Sequence, residues 1–462
     1  MATVLDFFRS WRKTEGCLHS KEELLSWIDE LNTNTEVKVE PKSLDGAFWY
    51  YDEQTSSIQN RKNAFFSIRG IRLFKHEKAI KEQPILLQSE IGFLGILCKK
   101  IDGVLYFLMQ GKIEPGNINE VQISPTIQAT KSNFTRVHGG KTPPFLSYFE
   151  HPERYRVISD ILQSEQGSRF FRKRNRNMIL EVEEDIPESA VFRWMTLGQI
   201  KEFTKYDNLI NMNSRTVLSS IPLDFSACSK DDLAEIKRLM RNDALFASFT
   251  SPSRKDELCR SFGYLNEQRM FTPYRTEFLP LSEVRDWNVT DQGIFKKDKK
   301  ADFSIGYYKI CIEGREVREW DQPLVNAEGR AVFALLTAVI DGERKFLIHG
   351  QHEVGSFDVL EFGPSVQWEP THAHEADDEV ECLFSDRLKT GKGILHAVKL
   401  SEEGGRFYHE ENENYIVEID QKELTTLPGD YFWVSLATMQ SLVAIPSCFN
   451  IQLRSLLSLI SL

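Results

Sequence analysis

The sequence is short of paired cysteines, long apolar runs and positive charge. Its seven cysteines, Cys17, Cys98, Cys228, Cys259, Cys311, Cys382 and Cys448, are odd in number and scattered, with no C-x-x-C pair. That excludes a disulfide scaffold and fits reduced thiols, several of them buried as small hydrophobes. No run of about 18 apolar residues occurs, so no segment reads as a membrane-spanning helix. No apolar stretch follows a basic start, so no secretory leader is read, and a soluble cytoplasmic protein is expected. The formal net charge of -11 argues against a broad nucleic-acid surface. One basic run, Arg169–Arg176, reads as a solvated face. Also missing are G-x-G-x-x-G, G-x4-G-K-[ST] and G-x-S-x-G, so neither a dinucleotide fold, a P-loop nor a hydrolase elbow is signalled.

What is present is an internal repeat. Asp102, Gly103, Phe107, Leu108, Gly111, Glu114, Gly116, Pro125 and Gln128 each recur 239 positions later (341 minus 102), ending at Gln367. Further pairs sit at nearly the same shift: Trp49 with Trp287, Phe66-Ser67-Ile68 with Phe303-Ser304-Ile305, and Gly167, Arg169, Phe170, Asn175, Asn177 and Glu181 with Gly404, Arg406, Phe407, Asn412, Asn414 and Glu418. Trp194 and Arg215 answer Trp433 and Arg454. Chance does not give this many matches across half a chain, so the protein is an internal duplication with a domain-sized period. At that size each copy is expected to own a core. Symmetry by itself reflects ancestry, so Glu114/Glu353 and Gln128/Gln367 also fit plain turn-capping roles.

The local pattern is mixed α and β. Val4, Leu5, Phe7, Phe8 and Trp11 share a helical face. Ser20 with Glu23 is a capping box ahead of Leu24, Leu25, Ile28 and Leu31. Asp102-Gly103 is a strong hairpin turn, and Asp341-Gly342 repeats it. Closing helices are expected near Thr196–Lys205 and Ser214–Ile221, and again near Leu436–Val443 and Ile451–Leu459. The predicted fold class is α+β: two tandem modules of mixed sheets flanked by helices. The expected division is residues 1–222 and 251–462, joined by a helical connector at 223–250 whose helix begins at Ser229.

The richest stretch for chemistry follows Gln128. Lys131, Ser132, Asn133, Thr135 and Arg136 are donors able to converge on a diphosphate, with Arg giving forked contacts. His138 and Tyr148 supply titratable groups nearby. Trp49 and Trp287 suit either a stacking role or the core. His349/His352 and His372/His374 invite a metal reading, but no partner strand pattern supports one, and no metal is expected.

The string Ser124-Pro-Thr-Ile-Gln-Ala-Thr-Lys-Ser-Asn-Phe-Thr-Arg-Val-His-Gly-Gly140, then Pro144-Phe-Leu-Ser-Tyr-Phe149, resembles the NDP-hexose 2,3-dehydratases. The Glu114-Pro-Gly-Asn117 loop and the duplication fit that resemblance. It implies two Nudix-like modules per subunit, working as a homodimer. The acidic Nudix box is missing here, which disfavours a hydrolase. The implied reaction removes water across C2–C3 of a nucleotide-linked 4-keto-6-deoxyhexose, with dTDP the default nucleotide. No cofactor is implied, and a separate 3-ketoreductase is the expected consumer of the product. Carried onto this chain, the implied substrate-binding residues are Trp49, Lys131, Ser132, Asn133, Phe134, Thr135, Arg136, Trp287 and Gln367. Candidates for the acid and base are His138, Tyr148 and Glu353. The second copy departs from the motif at Trp368-Glu-Pro-Thr-His-Ala-His374, so the first copy is expected to hold the active pocket. The alternative is a duplicated module that binds a nucleotide sugar without transforming it.

Overall fold

The computed structural model describes residues 2–62, 65–130, 142–298, 300–314, 317–372 and 376–462. Among them no helix is long and apolar enough to cross a membrane.

Local signals place the first elements. Thr3 caps the helix Val4–Arg12 in a capping box with Asp6, and Ser20 does the same with Glu23 for Lys21–Asn34. Asp102 and Gly103 take φ of 49° and 80°, and Asp341 and Gly342 take 52° and 81°. These left-handed pairs close hairpins because their twist matches that of the flanking strands. The hairpin Gly92–Ile101/Val104–Ile113 forms the centre of one seven-stranded sheet, and Val332–Ile340/Glu343–His352 the centre of another. In each, one hairpin strand also pairs in parallel with a later strand, Arg174–Glu181 or Glu411–Glu418. The closing helices fall at Leu197–Phe203, Met212–Leu218, Leu436–Val443 and Ile451–Leu457. Ser229 caps Lys230–Met240.

The two smaller sheets are built by exchange. Val37–Pro41, from the first copy, pairs antiparallel with Phe303–Ile312 of the second. Tyr274–Leu279, from the second copy, pairs antiparallel with Ser67–Lys75 of the first. Each copy thus covers one edge strand of the other, which removes an exposed ladder that invites aggregation.

The copies are also clamped at two glycines. Gly116 N donates to Gly404 O at 2.7 Å, and Gly116 O accepts from His409 N at 2.8 Å. Gly355 N donates to Gly167 O at 2.7 Å, and Gly355 O accepts from Arg172 N at 2.7 Å. A Cβ on Gly116 would sit 1.6 Å from Phe407 O, and one on Gly355 1.9 Å from Phe170 O. Both positions therefore need glycine for close backbone approach, not for positive φ.

Two buried arginines repeat the symmetry. Arg215 donates to Ile210 O, Ser401 O and Ser455 Oγ at 2.6–2.7 Å. Arg454 donates to Phe449 O, Ser164 O and Thr216 Oγ1. Each arginine reaches a main-chain carbonyl in the opposite copy. Each copy does own a core, around Phe149 and Trp194 in the first and Trp368 and Phe384 in the second, but a larger one joins them. The largest apolar cluster runs through both copies, from Phe8, Phe107 and Ile123 to Phe346, Phe362 and Leu453. The short helices Met212–Leu218 and Ile451–Leu457 lie against each other. The Arg169–Arg176 run is a solvated face only in part: Arg172 is exposed, whereas Arg169 and Lys173 are 3% and 5% exposed, because this loop turns inward to hold Gly355.

Gly116→Ala is expected to lower stability by about 1–3 kcal/mol, the range for overpacking, because the colliding atom is a main-chain oxygen. Gly263→Ala is the opposite control. It lies exposed inside the helix Arg254–Met270 with open space around it, and is expected to gain about 0.5–1 kcal/mol. Thermal and urea melts of both variants read the two signs.

Candidate active site

Each glycine clamp brings a loop of one copy against the sheet of the other. In the first copy the loop runs from Glu165 to Lys173 and is closed by Glu165 N donating to Lys173 O at 3.0 Å. In the second it runs from Glu402 to Glu410 and is closed in the same way, also at 3.0 Å. Asn175 and Asn412 donate to Glu165 Oε1 and, at 2.7 Å, to Glu402 Oε1. The scaffolds match, and the side chains they carry do not.

At the first copy's sheet lies a small cleft of about 60 Å3, open to solvent. Its floor is Gly92–Leu94 and Gln128–Thr130, and Lys173, Asn175 and Asn213 line it from the same copy. Glu403 and Arg406 enter from the second copy. Gln128 Nε2 donates both to Glu114 Oε1 at 2.7 Å and to Glu403 Oε1 at 3.0 Å. One amide thus bridges two carboxyls. Burial, then the nearby Glu114, pushes the Glu403 carboxyl up to about 8. Burial pulls the Lys173 amine down to about 8, against the attraction of Glu165 and Glu90. Arg406 lies 4.7 Å from the Phe66 ring and donates to Gly405 O at 2.8 Å. Among the described residues it forms no ion pair. Its buried Nε, Gln128 Oε1 and Asn213 Oδ1 lack hydrogen-bond partners there. Arg169 Nε, Gln166 Oε1 and Glu410 Oε2 at the second copy's site lack partners among the described residues as well, so unpaired atoms alone do not separate the two sites.

The equivalent place in the second copy is filled from within. Arg169, the counterpart of Arg406, sits 4.3 Å from Phe303 and donates Nη2 to Glu369 Oε2 at 3.0 Å. Glu369 stands where the first copy has Thr130. Burial works against the Arg169 charge, but Glu369, Glu410 and Asp302 outweigh it and raise its pKa. Gln166 replaces Glu403 and bonds Glu402, and Glu410 replaces Lys173. Gln367 is engaged on both sides, donating to Glu353 Oε1 at 2.9 Å and accepting from Asn450 Nδ2 at 2.8 Å. Burial, then the neighbouring Glu361, raises Glu353 to about 7.

Of the residues singled out in the sequence, Lys131, Ser132, Asn133, Phe134, Thr135, Arg136 and His138 lie outside the described residues, as does His374. Trp49 is 4% exposed, packs 4.8 Å from Phe66 and donates Nε1 to Asp321 O at 2.7 Å. Trp287 is 8% exposed and packs 5.3 Å from Phe303. Both belong to one apolar cluster, each with an edge on a surface groove. Tyr148 stacks on Tyr155 at 4.9 Å and is not among the cleft's lining residues. Glu353 and Gln367 belong to the second copy's filled site. His349 bonds Asp430 and Gln351 through its two ring nitrogens. Among the described residues no three His, Cys, Asp or Glu side chains gather as a metal site. Glu403, Arg406 and Lys173 were not picked from the sequence. The repeat had matched Arg169 with Arg406, so comparing the neighbours of that pair would have exposed the Gln166/Glu403 and Lys173/Glu410 exchanges.

The chain matches the model of the family described as NDP-hexose 2,3-dehydratase over residues 21–221 and again over 260–460. It is 37% identical over 414 residues to a dTDP-4-dehydro-6-deoxy-alpha-D-glucopyranose 2,3-dehydratase of Saccharopolyspora spinosa, covering 89% of this chain and 85% of that protein. A protein of the same name from Amycolatopsis orientalis is 35% identical over 458 residues, covering 97% of this chain and 92% of its own. With both copies matched and the likeness spanning nearly the whole length, the chain belongs to the NDP-hexose 2,3-dehydratase family.

Proposed function

We propose that this chain removes water across C2–C3 of dTDP-4-dehydro-6-deoxyglucose in the cleft between the first copy's sheet and the Glu402–Glu410 loop, releasing the 3,4-diketo-2,6-dideoxy sugar. The substrate follows the names of the relatives. The choice of cleft rests on one observation: Arg406 forms no ion pair among the described residues, whereas its counterpart Arg169 is already bound by Glu369. Arg406 is half-buried, with its Nε buried and unpaired among the described residues, and a diphosphate would supply the counter-charge that Glu369 gives Arg169. Thr130 lines the cleft, and Lys131, Ser132, Asn133, Thr135 and Arg136 follow it in the chain. They are the proposed further donors to the diphosphate. The reaction suits this arrangement. The C4 ketone acidifies the C3 proton and holds the resulting charge, so loss of water is redox-neutral and needs groups that move protons and steady an enolate. A Nudix-like descent of each copy is proposed on the mixed sheet with its parallel central pair and flanking helices. A 1,2-diketone is reactive, so a 3-ketoreductase is the proposed next enzyme.

Incubation with dTDP-4-dehydro-6-deoxyglucose, a 3-ketoreductase and its reduced nicotinamide cofactor is expected to yield a 2-deoxy sugar by mass spectrometry. Unchanged sugar, with the protein stabilised by dTDP, would instead indicate a binding module. Arg406→Gln and Arg136→Ala are each expected to weaken dTDP binding by about tenfold or more, the scale of a charge-assisted contact. Titration calorimetry is expected to find one dTDP per chain, since Glu369 occupies the second seat.

A further inference from the structure

The geometry points to Glu403, a side chain of the second copy, as the proton donor of the elimination in the first copy's cleft, with Lys173 as the base. This rests on the cleft assignment above.

Three features single out Glu403. Its Oε1 accepts from Gln128 Nε2 at 3.0 Å and from Gly405 N at 3.1 Å. Its Oε2 has no hydrogen-bond partner among the described residues, so the carboxyl's proton belongs there. Glu403 is partly accessible through the cleft and otherwise enclosed, which keeps it neutral around pH 7, as a donor must be. The filled site of the other copy carries Gln166 at this position, and an amide cannot supply an acidic proton.

The rivals are placed less well. Glu165 is tied to Asn175, Tyr148 does not line the cleft, and Glu353 stands in the filled site. Glu114 shares Gln128 with Glu403 and is paired with Lys112 Nζ at 3.5 Å.

Lys173 is the second titratable group that the two copies do not share. It is 5% exposed, lines the same cleft and donates to Glu90 O. A fraction of its amine is free of charge near pH 7, as a base requires.

The step balances with these two groups. Lys173 takes the C3 proton, and the C3–H electron pair moves into a C3–C4 double bond with charge on the C4 oxygen. That pair then returns: C4=O reforms, C2=C3 forms and the C2–O bond breaks. The departing oxygen takes the Glu403 proton and leaves as water. The enol at C3 becomes a ketone as its O–H proton passes to solvent and C2 takes one from solvent, and the proton held by Lys173 restores Glu403.

The test separates the two half-steps with dTDP-4-dehydro-6-deoxyglucose in D2O, followed by mass spectrometry and NMR. Glu403→Gln is expected to bind dTDP like the wild type and to exchange the C3 hydrogen for deuterium. Its turnover is expected to fall about 10^2–10^4-fold, the worth of a positioned acid. Lys173→Met is expected to lose C3 exchange and turnover together. The wild-type kcat should pass through a maximum near pH 8, rising as Lys173 loses its proton and falling as Glu403 gives up its own, and the residual rate of Glu403→Gln should keep the rise and lack the fall. Turnover of Glu403→Gln within about fivefold of wild type, with dTDP binding intact, would overturn the donor role. Retained exchange in Lys173→Met would overturn the base role. A wild-type protein that forms no 2-deoxy product would instead remove the cleft assignment on which both rest. Should Glu403→Gln lose dTDP binding, Glu403→Asp decides: it keeps an acidic proton, and recovery of binding without turnover above the glutamine variant would count against the donor.

Discussion

The main-chain grip on Gly116 and Gly355 is the constraint from which the rest of the architecture follows. Each glycine is held at both its N–H and its C=O by a loop of the opposite copy. Neither admits a side chain. The loops therefore cannot move relative to the facing sheet without breaking these contacts, and each cleft is composed of both copies by necessity. Duplication here did not give two independent units. It gave two halves that complete each other, through exchanged edge strands, a shared core and paired buried arginines.

Because the clamp fixes the main chain, the side chains on it were free to diverge. Three charge-changing exchanges stand out between the sites: Thr130 against Glu369, Glu403 against Gln166, and Lys173 against Glu410. Together they give one site a bound cation and the other a cation that lacks a counter-charge among the described residues. Buried charges persist only when compensated, so Arg169 without Glu369 would be unfavourable. In the first cleft that compensation is left for a ligand. Strongly shifted groups cluster at working sites for the same reason: dehydration that favours a neutral acid also sharpens every charge nearby.

Much of this was legible in the sequence, and the limits have physical causes. The duplication, the Asp-Gly turns and the Ser20 and Ser229 caps depend on local chemistry or on direct identity, and the structure carries each of them. The strand exchange was not legible, because pairing Val37–Pro41 with Phe303–Ile312 is a contact across more than half the chain. Nothing local in VKVEP names its partner. The Arg169–Arg176 run was read by composition as solvated, yet burial is set by the loop's inward turn around Gly355. Glu403 was not singled out, because nothing in a Glu-Glu-Gly-Gly stretch marks one carboxyl from its neighbour. Its meaning shows only when the Gln128 amide arrives from another sheet.

Hydrogen–deuterium exchange of the intact protein, with and without dTDP, tests the central claim most directly: that one of two related clefts is the seat of the nucleotide sugar. The account predicts slowed exchange in the Glu402–Glu410 loop and the strand Ile127–Ala129, with the Glu165–Lys173 loop next to Glu369 largely unchanged apart from Lys173 itself. Protection centred on Gln166–Arg169 and Val366–Glu369, with the first cleft unaffected, would contradict it.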